Sequence, residues 1–346
     1  FSYTPPSGYK ALNTFNLPTP TIVNGANYMN AVTWTGNSSQ VSVGFDPDLL
    51  WYKARNAVSY GGVVNSITGD DVYLQTYTTG SETTYSGLLV TNSTGFVPGT
   101  VFSSNNYVAW NWKAGSGTTS SNTSGSITST VSVNATAGFS VLTATTPASY
   151  TNYTAGHGLG VTPAMIIYKE RSGTANWWVW HKSFATPSNA LQLNTTVALQ
   201  AGTYFGTQTS TVASFASGMQ TGLSVGFVAY CWAEVAGYSA FGSYTGNGST
   251  DGPFIYTGFR PRWVMVKRTD TGGYAWVVID TSRSPYNQVA LSLYPNYSNA
   301  EATSDVYDIL SNGFKLRTTD PANNASGGTY IYAAFSESAF KYSLGR

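Results

Sequence analysis

The sequence predicts an all-β protein built from three diverged copies of one unit. Short apolar and aromatic runs recur roughly every 8 to 12 residues between Gly, Asn and Thr turns, which is typical of antiparallel strands. Windows of about 11 residues show no clean helical spacing of apolar positions, so helices are not expected. We therefore predict tandem antiparallel β-sandwich repeats of the jelly-roll or lectin-like type.

Two landmarks define the copies. Each copy has a segment that contains a glycine, an apolar residue, a proline two positions later and a final lysine. Because proline lacks a backbone N–H, its position predicts the start of a strand. Each copy also closes on an aromatic-rich run that predicts a buried strand. The proline segments are 44–53, 160–169 and 258–267, and the closing runs are 107–112, 227–232 and 330–335. The near-constant spacing of 65, 69 and 74 residues from proline to last aromatic indicates three related copies.

These landmarks set the expected domain boundaries. The stretch between the first two copies is nearly all Gly, Ser, Thr, Asn and Ala, which predicts a flexible linker or a solvated β-meander. The boundary between the last two copies stays strand-like, so we expect those two to pack as a rigid pair. The predicted parts are an N-terminal extended segment or linker at 1–27, copy one at 28–114, the linker at 115–137, copy two at 138–236 and copy three at 237–346.

Composition limits the classes of partner. Charged residues make up 9% of the chain and the net charge is +1, so the protein has no field that attracts nucleic acid or anionic lipid. No apolar stretch reaches the roughly 18 residues that a membrane span needs, so membrane insertion is not expected. The single cysteine, Cys231, excludes an internal disulfide and predicts a buried thiol. A start at Phe1 predicts a processed product or the tail of a longer polypeptide.

The histidines do not predict catalysis or metal binding. His157 lies between two glycines with no acidic or thiol neighbour. His181 aligns with Asp280 of copy three, so different polar groups occupy one position, which argues against fixed catalytic work. No catalytic motif is present, and we expect no enzyme activity, no cofactor and no metal.

Three acidic pairs are candidates for glycoside hydrolysis, which needs two carboxylates a few ångströms apart. No pair recurs in the other copies, and each lies in a turn-like stretch. Asp46 and Asp48 also suggest calcium, although they supply too few oxygen ligands. The pairs are Asp46 with Asp48, Asp70 with Asp71, and Asp305 with Asp308.

Aromatic content of 15% in a weakly charged chain favours wet interfaces or stacking on sugar rings. In Trp177, Trp178 and Trp180, strand alternation places Trp177 on the opposite face from the other two. We predict that Trp177 leaves the core and that Trp177, Trp178, Trp180 and His181 form a binding site. The alternative is that neighbouring sheets or subunits cover both faces.

Basic residues also recur at one place in every copy. We expect them to have a structural role, at a strand end or paired with a carboxylate, rather than to bind a ligand. They are the pairs Lys53 and Arg55, Lys169 and Arg171, and Lys267 and Arg268.

The third copy carries the clearest family pattern. Its segments 244–248, 258–267, 309–317 and 330–335 resemble repeats of virion structural and tail-fibre-like proteins of marine tailed phages, including those of cyanobacteria. The opening, Phe1–Pro18, is similar to the end of a SPRY-like, lectin-type domain. The resemblance implies surface display and host attachment, and it brings no catalytic residue.

From these observations we predict a non-enzymatic virion surface protein of the fibre or appendage type, with a role in host attachment through a glycan or another surface receptor. We expect it on the virion surface or outside the cell, as a homo-oligomer for which a trimer is one option, together with other virion proteins. The alternatives are a polysaccharide depolymerase or glycan-active tailspike, and a bacterial cell-surface adhesin or filament subunit. Binding specificity is expected in the variable segments 58–95, 177–218 and 274–312.

Overall fold

The structure, a computed structural model, describes residues 6–7, 20–36, 39–58, 61–102 and 105–337. Strands make up 41% of it and helices 3%, which confirms the all-β class. The N-terminal opening that resembles a SPRY-like domain lies almost wholly outside the described residues. Within those residues, no helix is both long enough and apolar enough to cross a bilayer.

The strands fall into three sets that follow the three predicted copies, called here units 1, 2 and 3. Unit 1 contains β1 (Met29–Thr35), β2 (Val41–Ser42), β3 (Leu49–Ala54), β4 (Gly62–Asn65), β5 (Val72–Tyr73), β6 (Thr83–Thr84), β7 (Leu89–Asn92), β8 (Gly95–Pro98) and β9 (Asn106–Trp112). Unit 2 contains β10 (Ser120–Asn122), β11 (Ser129–Asn134), β12 (Phe139–Thr145), β13 (Tyr153–Gly156), β14 (Met165–Glu170), β15 (Trp178–His181), β16 (Leu191–Gln192), β17 (Val212–Phe215) and β18 (Gly226–Trp232). Unit 3 contains β19 (Ser239–Thr245), β20 (Phe254–Tyr256), β21 (Pro261–Arg268), β22 (Val277–Asp280), β23 (Tyr307–Leu310), β24 (Gly313–Leu316) and β25 (Thr329–Ser336). The described helices are α1 (Pro321–Asn324) and two 3₁₀ turns, Gly25–Asn27 and Ser217–Met219.

Each unit has an inner sheet with the same strand order and a smaller outer sheet. The inner orders are β1-β9-β3-β4 in unit 1, β12-β18-β14-β15 within the longer sheet of unit 2, and β19-β25-β21-β22 in unit 3. The outer sheets are β2-β8-β7, β13-β17 and β20-β24-β23. The register also matches, because the last aromatic of each closing strand faces an equivalent residue: Trp112 faces Leu49, Trp232 faces Met165 and Phe335 faces Trp263.

The two central strands of each inner sheet are buried on both faces along nearly their whole length. In β3, Leu49 and Trp51 point into a core shared by all three units, whereas Leu50 and Tyr52 point into the sandwich of unit 1. Every residue of β3 is buried. This explains the continuous apolar runs in the sequence, since a strand covered on both faces has no polar side.

The shared core brings the three units together around Trp112. Its ring lies 5.8 Å from Trp232 of unit 2, and 5.4 Å and 5.6 Å from Trp263 and Phe335 of unit 3, measured between ring centroids. The three inner sheets therefore surround one aromatic centre instead of standing apart as tandem beads.

A segment after the fourth inner strand of each unit, called here its arm, reaches the next unit. The arms are residues 66–88, 183–211 and 281–306. One backbone N–H of each arm donates a hydrogen bond to a carbonyl at the end of an inner strand in the neighbouring unit. These bonds run from Glu82 N to Arg171 O at 2.7 Å, from Leu199 N to Thr269 O at 2.9 Å, and from Glu301 N to Arg55 O at 2.8 Å. Arm 3 returns to unit 1, so the three units close into a ring, an arrangement that the predicted linker did not anticipate.

The stretch 115–137 differs from the predicted linker. It contributes β10 and β11 to the inner sheet of unit 2, where β11 pairs with β12. The buried carboxylate of Asp48 fixes its start, since it accepts hydrogen bonds from the amides of Ser116 and Gly117 at 2.8 Å and 3.1 Å and from the Ser132 hydroxyl at 2.8 Å. Among the alternatives read from composition, the β-meander describes this segment.

Candidate functional site

The structure places the predicted binding residues in the interior. Trp177 is 0% exposed, and its indole N–H donates to Gln75 O of arm 1 at 3.0 Å. On the other face, Trp178 stacks on Tyr204 with centroids 4.4 Å apart, and the Trp180 N–H donates to a carbonyl of arm 2. The expectation that Trp177 leaves the core is wrong, because the shared core covers one face of the strand and the unit 2 sandwich covers the other.

His181 belongs to a set of three equivalent buried side chains, called here the polar trio: Asn65, His181 and Asp280. Each is the last residue of the fourth inner strand of its unit. The residues that pair with them on the neighbouring strand are also equivalent: Leu49, Met165 and Trp263. Each member of the trio also accepts a hydrogen bond from the amide two residues further on, at 3.1 to 3.2 Å, and so caps the turn into its arm.

The polar trio also joins the units. Because the partners lie on the closing strand of the next unit around the ring, three different side chains make one kind of contact. Asn65 donates to the Tyr230 hydroxyl at 3.4 Å, His181 Nε2 lies 3.1 Å from Tyr332 O, and Asp280 accepts from Trp110 Nε1 at 2.9 Å.

The protonation of two trio members follows from their surroundings. His181 keeps a proton on Nε2 for the Tyr332 carbonyl, and complete burial lowers the pKa of its imidazole to about 3. Burial alone would raise the pKa of Asp280, but the buried Arg283 guanidinium at 2.6 Å and the Trp110 N–H hold it below its usual value. A neutral histidine and a paired aspartate are therefore structural members of the interior.

The recurrent basic residues lie at the unit boundaries. Lys53, Lys169 and Lys267 are buried, and their Nζ atoms donate to arm carbonyls, those of Tyr297, Thr79 and Thr196 respectively. Burial lowers the pKa of each ammonium to about 8. Two residues on, Arg55 and Arg171 form bidentate ion pairs with Glu301 and Glu82 of the arms. Each place of positive charge thus holds an arm.

Five of the six carboxylates in the acidic pairs, all except Asp46, form hydrogen bonds or ion pairs within the described part of the fold. Asp48 accepts only from N–H and O–H donors, so its oxygens do not face a cation. Asp70 binds the backbone and hydroxyl of Thr91, and Asp71 binds two amides of the loop before β7. Asp308 pairs with Arg317, while the buried Asp305 accepts from Tyr294 and Asn323. Across the described residues, no group of three or more His, Cys, Asp or Glu side chains could hold a metal ion.

The remaining candidate nucleophile and base are also interior. Cys231 is buried, and burial raises the pKa of its thiol well above the ordinary value. His157 is buried with Nε2 3.1 Å from Thr209 O, and burial lowers the pKa of its imidazole. Neither side chain is placed to attack or deprotonate a bound substrate from this position.

A cavity in unit 1 is the described feature most like a ligand site. Its volume is about 390 Å³, within the roughly 300–1,000 Å³ range of small-molecule pockets. Tyr52 and Tyr107 form its buried floor, and Tyr85 and Val101, 43% and 36% exposed, form its rim. The lining residues are Tyr52, Tyr73, Tyr85, Leu88, Val101, Phe102 and Tyr107.

Sequence reasoning missed this cavity. Four of its five rings are tyrosines, among 25 in the chain, and no spacing singles them out. The available signal was indirect: Tyr73 and Tyr85 lie in the variable segment of copy one, where binding specificity was expected, while Tyr52 and Tyr107 belong to the shared strands.

Fold and site together define an all-β repeat protein whose three units form one ring with a shared core. The chain belongs to a family described as a domain of unknown function (DUF7483), whose model matches residues 24–339. No curated protein and no solved structure matches it. Since the family match runs through all three units, the family domain corresponds to the whole ring and not to a single repeat.

Proposed function

We propose that the chain is a non-enzymatic structural module of a virion surface, of the fibre or appendage type, that takes part in attachment to a host surface. The observation that carries the proposal is the closed ring, in which each unit is joined to both others by a shared aromatic core and by arms. Such a ring is a rigid support on which loops and cavities keep fixed positions.

The use of charge within the fold supports a structural role. Buried lysines and the arginine–glutamate pairs hold the arms, and Asp48 and Asp280 hold turns and neighbouring units. These charged groups are therefore engaged in contacts that hold turns, arms and neighbouring units. The weakly charged, Asn-, Thr- and Tyr-rich composition suits a protein displayed outside the cell.

Immunogold labelling of the native particle or cell that carries the protein tests the location. We expect label on the outer surface of intact virions, at a fibre or appendage, and none on virions treated with pre-immune antibody. Label found only after the particles are disrupted, or only on the bacterial cell surface, would contradict the virion-surface proposal; the second result would favour an adhesin or filament subunit.

Incubation of the purified chain with capsular and lipopolysaccharide glycans separates attachment from depolymerisation. We expect binding of at least one glycan by surface plasmon resonance, with no loss of viscosity and no new reducing ends. The heat-unfolded chain is the control for non-specific adsorption. New reducing ends in proportion to protein concentration would overturn the non-enzymatic assignment.

A further inference from the structure

The three units treat their interior tyrosine hydroxyls differently. In unit 2, Tyr168 and Tyr153 bond to each other, with their oxygens 3.0 Å apart. In unit 3, the Tyr330 hydroxyl donates to Pro321 O at 2.8 Å, and Tyr307 donates to Asn323. These four tyrosine hydroxyls are thus satisfied by the protein itself, as is usual in interiors, whereas the hydroxyl of Tyr238 in unit 3 is buried without a partner in the part of the chain that the structure describes.

Unit 1 departs from this pattern at the floor of its cavity. Tyr52, the equivalent of Tyr168, is only 3% exposed, and within the described residues its hydroxyl has no hydrogen-bond partner. Tyr73 and Tyr107, which also line the cavity, have none there either. Burial, followed by the nearby phenols of Tyr73, Tyr77 and Tyr107, raises the pKa of Tyr52, so these phenols lie close together. A hydroxyl that faces the cavity without a protein partner can pair with a hydroxyl group of a ligand.

The chemistry of the lining selects the ligand class. The cavity presents aromatic faces and phenol oxygens, and none of the described residues that line it is charged. A ligand that fits must be uncharged, have an apolar face to lie against the rings, and carry hydroxyls to pair with the tyrosines. A pyranose ring combines these three properties.

We propose that the cavity lined by Tyr52, Tyr73 and Tyr107 binds one neutral pyranose residue of a glycan. The sugar enters past Tyr85 and Val101 at the rim, and the Tyr52 hydroxyl is its deepest hydrogen-bonding partner. The inference rests on the proposed attachment role and gives that role a site in unit 1.

Saturation-transfer NMR of the full chain with the methyl glycosides of glucose, galactose, mannose and N-acetylglucosamine tests this site. We expect at least one glycoside to receive saturation. Tyr52→Phe, which removes only the hydroxyl, should weaken its binding roughly tenfold, and Val101→Trp, which fills the mouth, should abolish it. Tyr168→Phe removes the equivalent hydroxyl in unit 2 and should leave binding unchanged.

The outcomes separate the cavity from the wider function. Absence of saturation for all four glycosides, or full binding by both Tyr52→Phe and Val101→Trp with unchanged circular dichroism, would overturn the cavity site. Tighter binding of phenol or indole than of any glycoside would overturn the ligand class. If the Val101→Trp variant still bound whole glycans, the cavity would not be the binding site, and the proposed attachment role would be unaffected. If the protein lay inside the virion, the proposed function would be contradicted, whereas the sugar-binding cavity would not.

Discussion

At the residue scale, the polar trio shows how one structural task is met by three different side chains. Asn65, His181 and Asp280 each cap a turn with one polar atom and reach the next unit with another. Each position demands one acceptor toward its own turn and a second polar atom toward the neighbour. An amide, a neutral imidazole and a carboxylate all meet that demand once the partner on the closing strand changes with them.

Replacing His181 by Asn, the residue that unit 1 uses at this place, should remove an acid-sensitive contribution to stability. The folded-state pKa of His181 is about 3, below the ordinary 6.5, so the unfolded chain binds the proton more readily. The contribution of neutral His181 to the free energy of unfolding is complete above pH 6.5. It falls by roughly 1.4 kcal/mol per pH unit as the pH drops from 6.5 toward 3. Urea unfolding of both proteins at pH 7.5 and pH 4 measures the difference.

The two proteins are compared by the change in their free energy of unfolding between pH 7.5 and pH 4, and not by its absolute value. The reason is that Asn is shorter and leaves the Tyr332 carbonyl unpaired at every pH. We expect the wild-type protein to lose about 3 kcal/mol more than His181→Asn between the two pH values. Equal losses would show that His181 is protonated in the folded state or exposed to solvent.

The sequence indicated correctly that this position tolerates different polar groups, and it could not show why. The partner of His181 is 151 residues away in the chain, and the distance is closed only by the ring. The Trp177 prediction was wrong for the same reason. Strand alternation shows that Trp177 and Trp178 point to opposite faces of the sheet. It does not show that arm 1 of the neighbouring unit covers the face on which Trp177 lies.

At the element scale, the inner strands were predictable and their connections were not. The strands expected after Pro47, Pro163 and Pro261 form as β3, β14 and β21, and the aromatic runs form as β9, β18 and β25. Proline placement and apolar runs are local signals that tertiary contacts reinforce here. The composition of 115–137 is equally typical of a loose linker and of a polar edge of a sheet, and a single distant carboxylate decides between them.

Asp48→Asn should therefore loosen the start of that segment. Five N–H or O–H donors converge on the buried carboxylate, and an amide would lose the charge and turn an N–H₂ toward them. We expect the free energy of unfolding to fall by roughly 3–5 kcal/mol, and amide exchange in β10 and β11 to quicken. Urea unfolding and hydrogen exchange measure the two effects.

Asp46→Asn is the matched control. Asp46 lies two residues away and is half-buried, and its pKa is raised by burial and then by the neighbouring Asp48 and Asp70. Neutralising it should leave stability unchanged or slightly higher. A cost for Asp46→Asn as large as that for Asp48→Asn would mean that local charge, and not the converging hydrogen bonds, sets the effect.

At the scale of the whole molecule, the arms explain why the copies diverge between their shared strands. Arm 1 binds unit 2, arm 2 binds unit 3 and arm 3 binds unit 1, so each arm has adapted to a different neighbour. The indole of Trp276 donates to Gln192 O of arm 2 as Trp177 does to arm 1, whereas unit 1 has Gly61 in the matching place. The inner strands are therefore common to the three copies, whereas the contacts between an arm and its neighbouring unit differ from copy to copy.

Closure also has an energetic consequence. No unit can leave the ring without exposing the aromatic centre around Trp112 and breaking contacts with both neighbours. Cooperative unfolding is the expected result, because the core of each unit is partly supplied by the other two.

Hydrogen exchange of the full chain across a urea series, followed by mass spectrometry, tests this closure most directly. Peptides from β9, β18 and β25 report on units 1, 2 and 3 separately. The ring predicts that all three lose protection at the same urea concentration. Loss of protection in β9 at a lower urea concentration, with β18 and β25 still protected, would contradict the ring and restore a separate first domain beside a rigid pair.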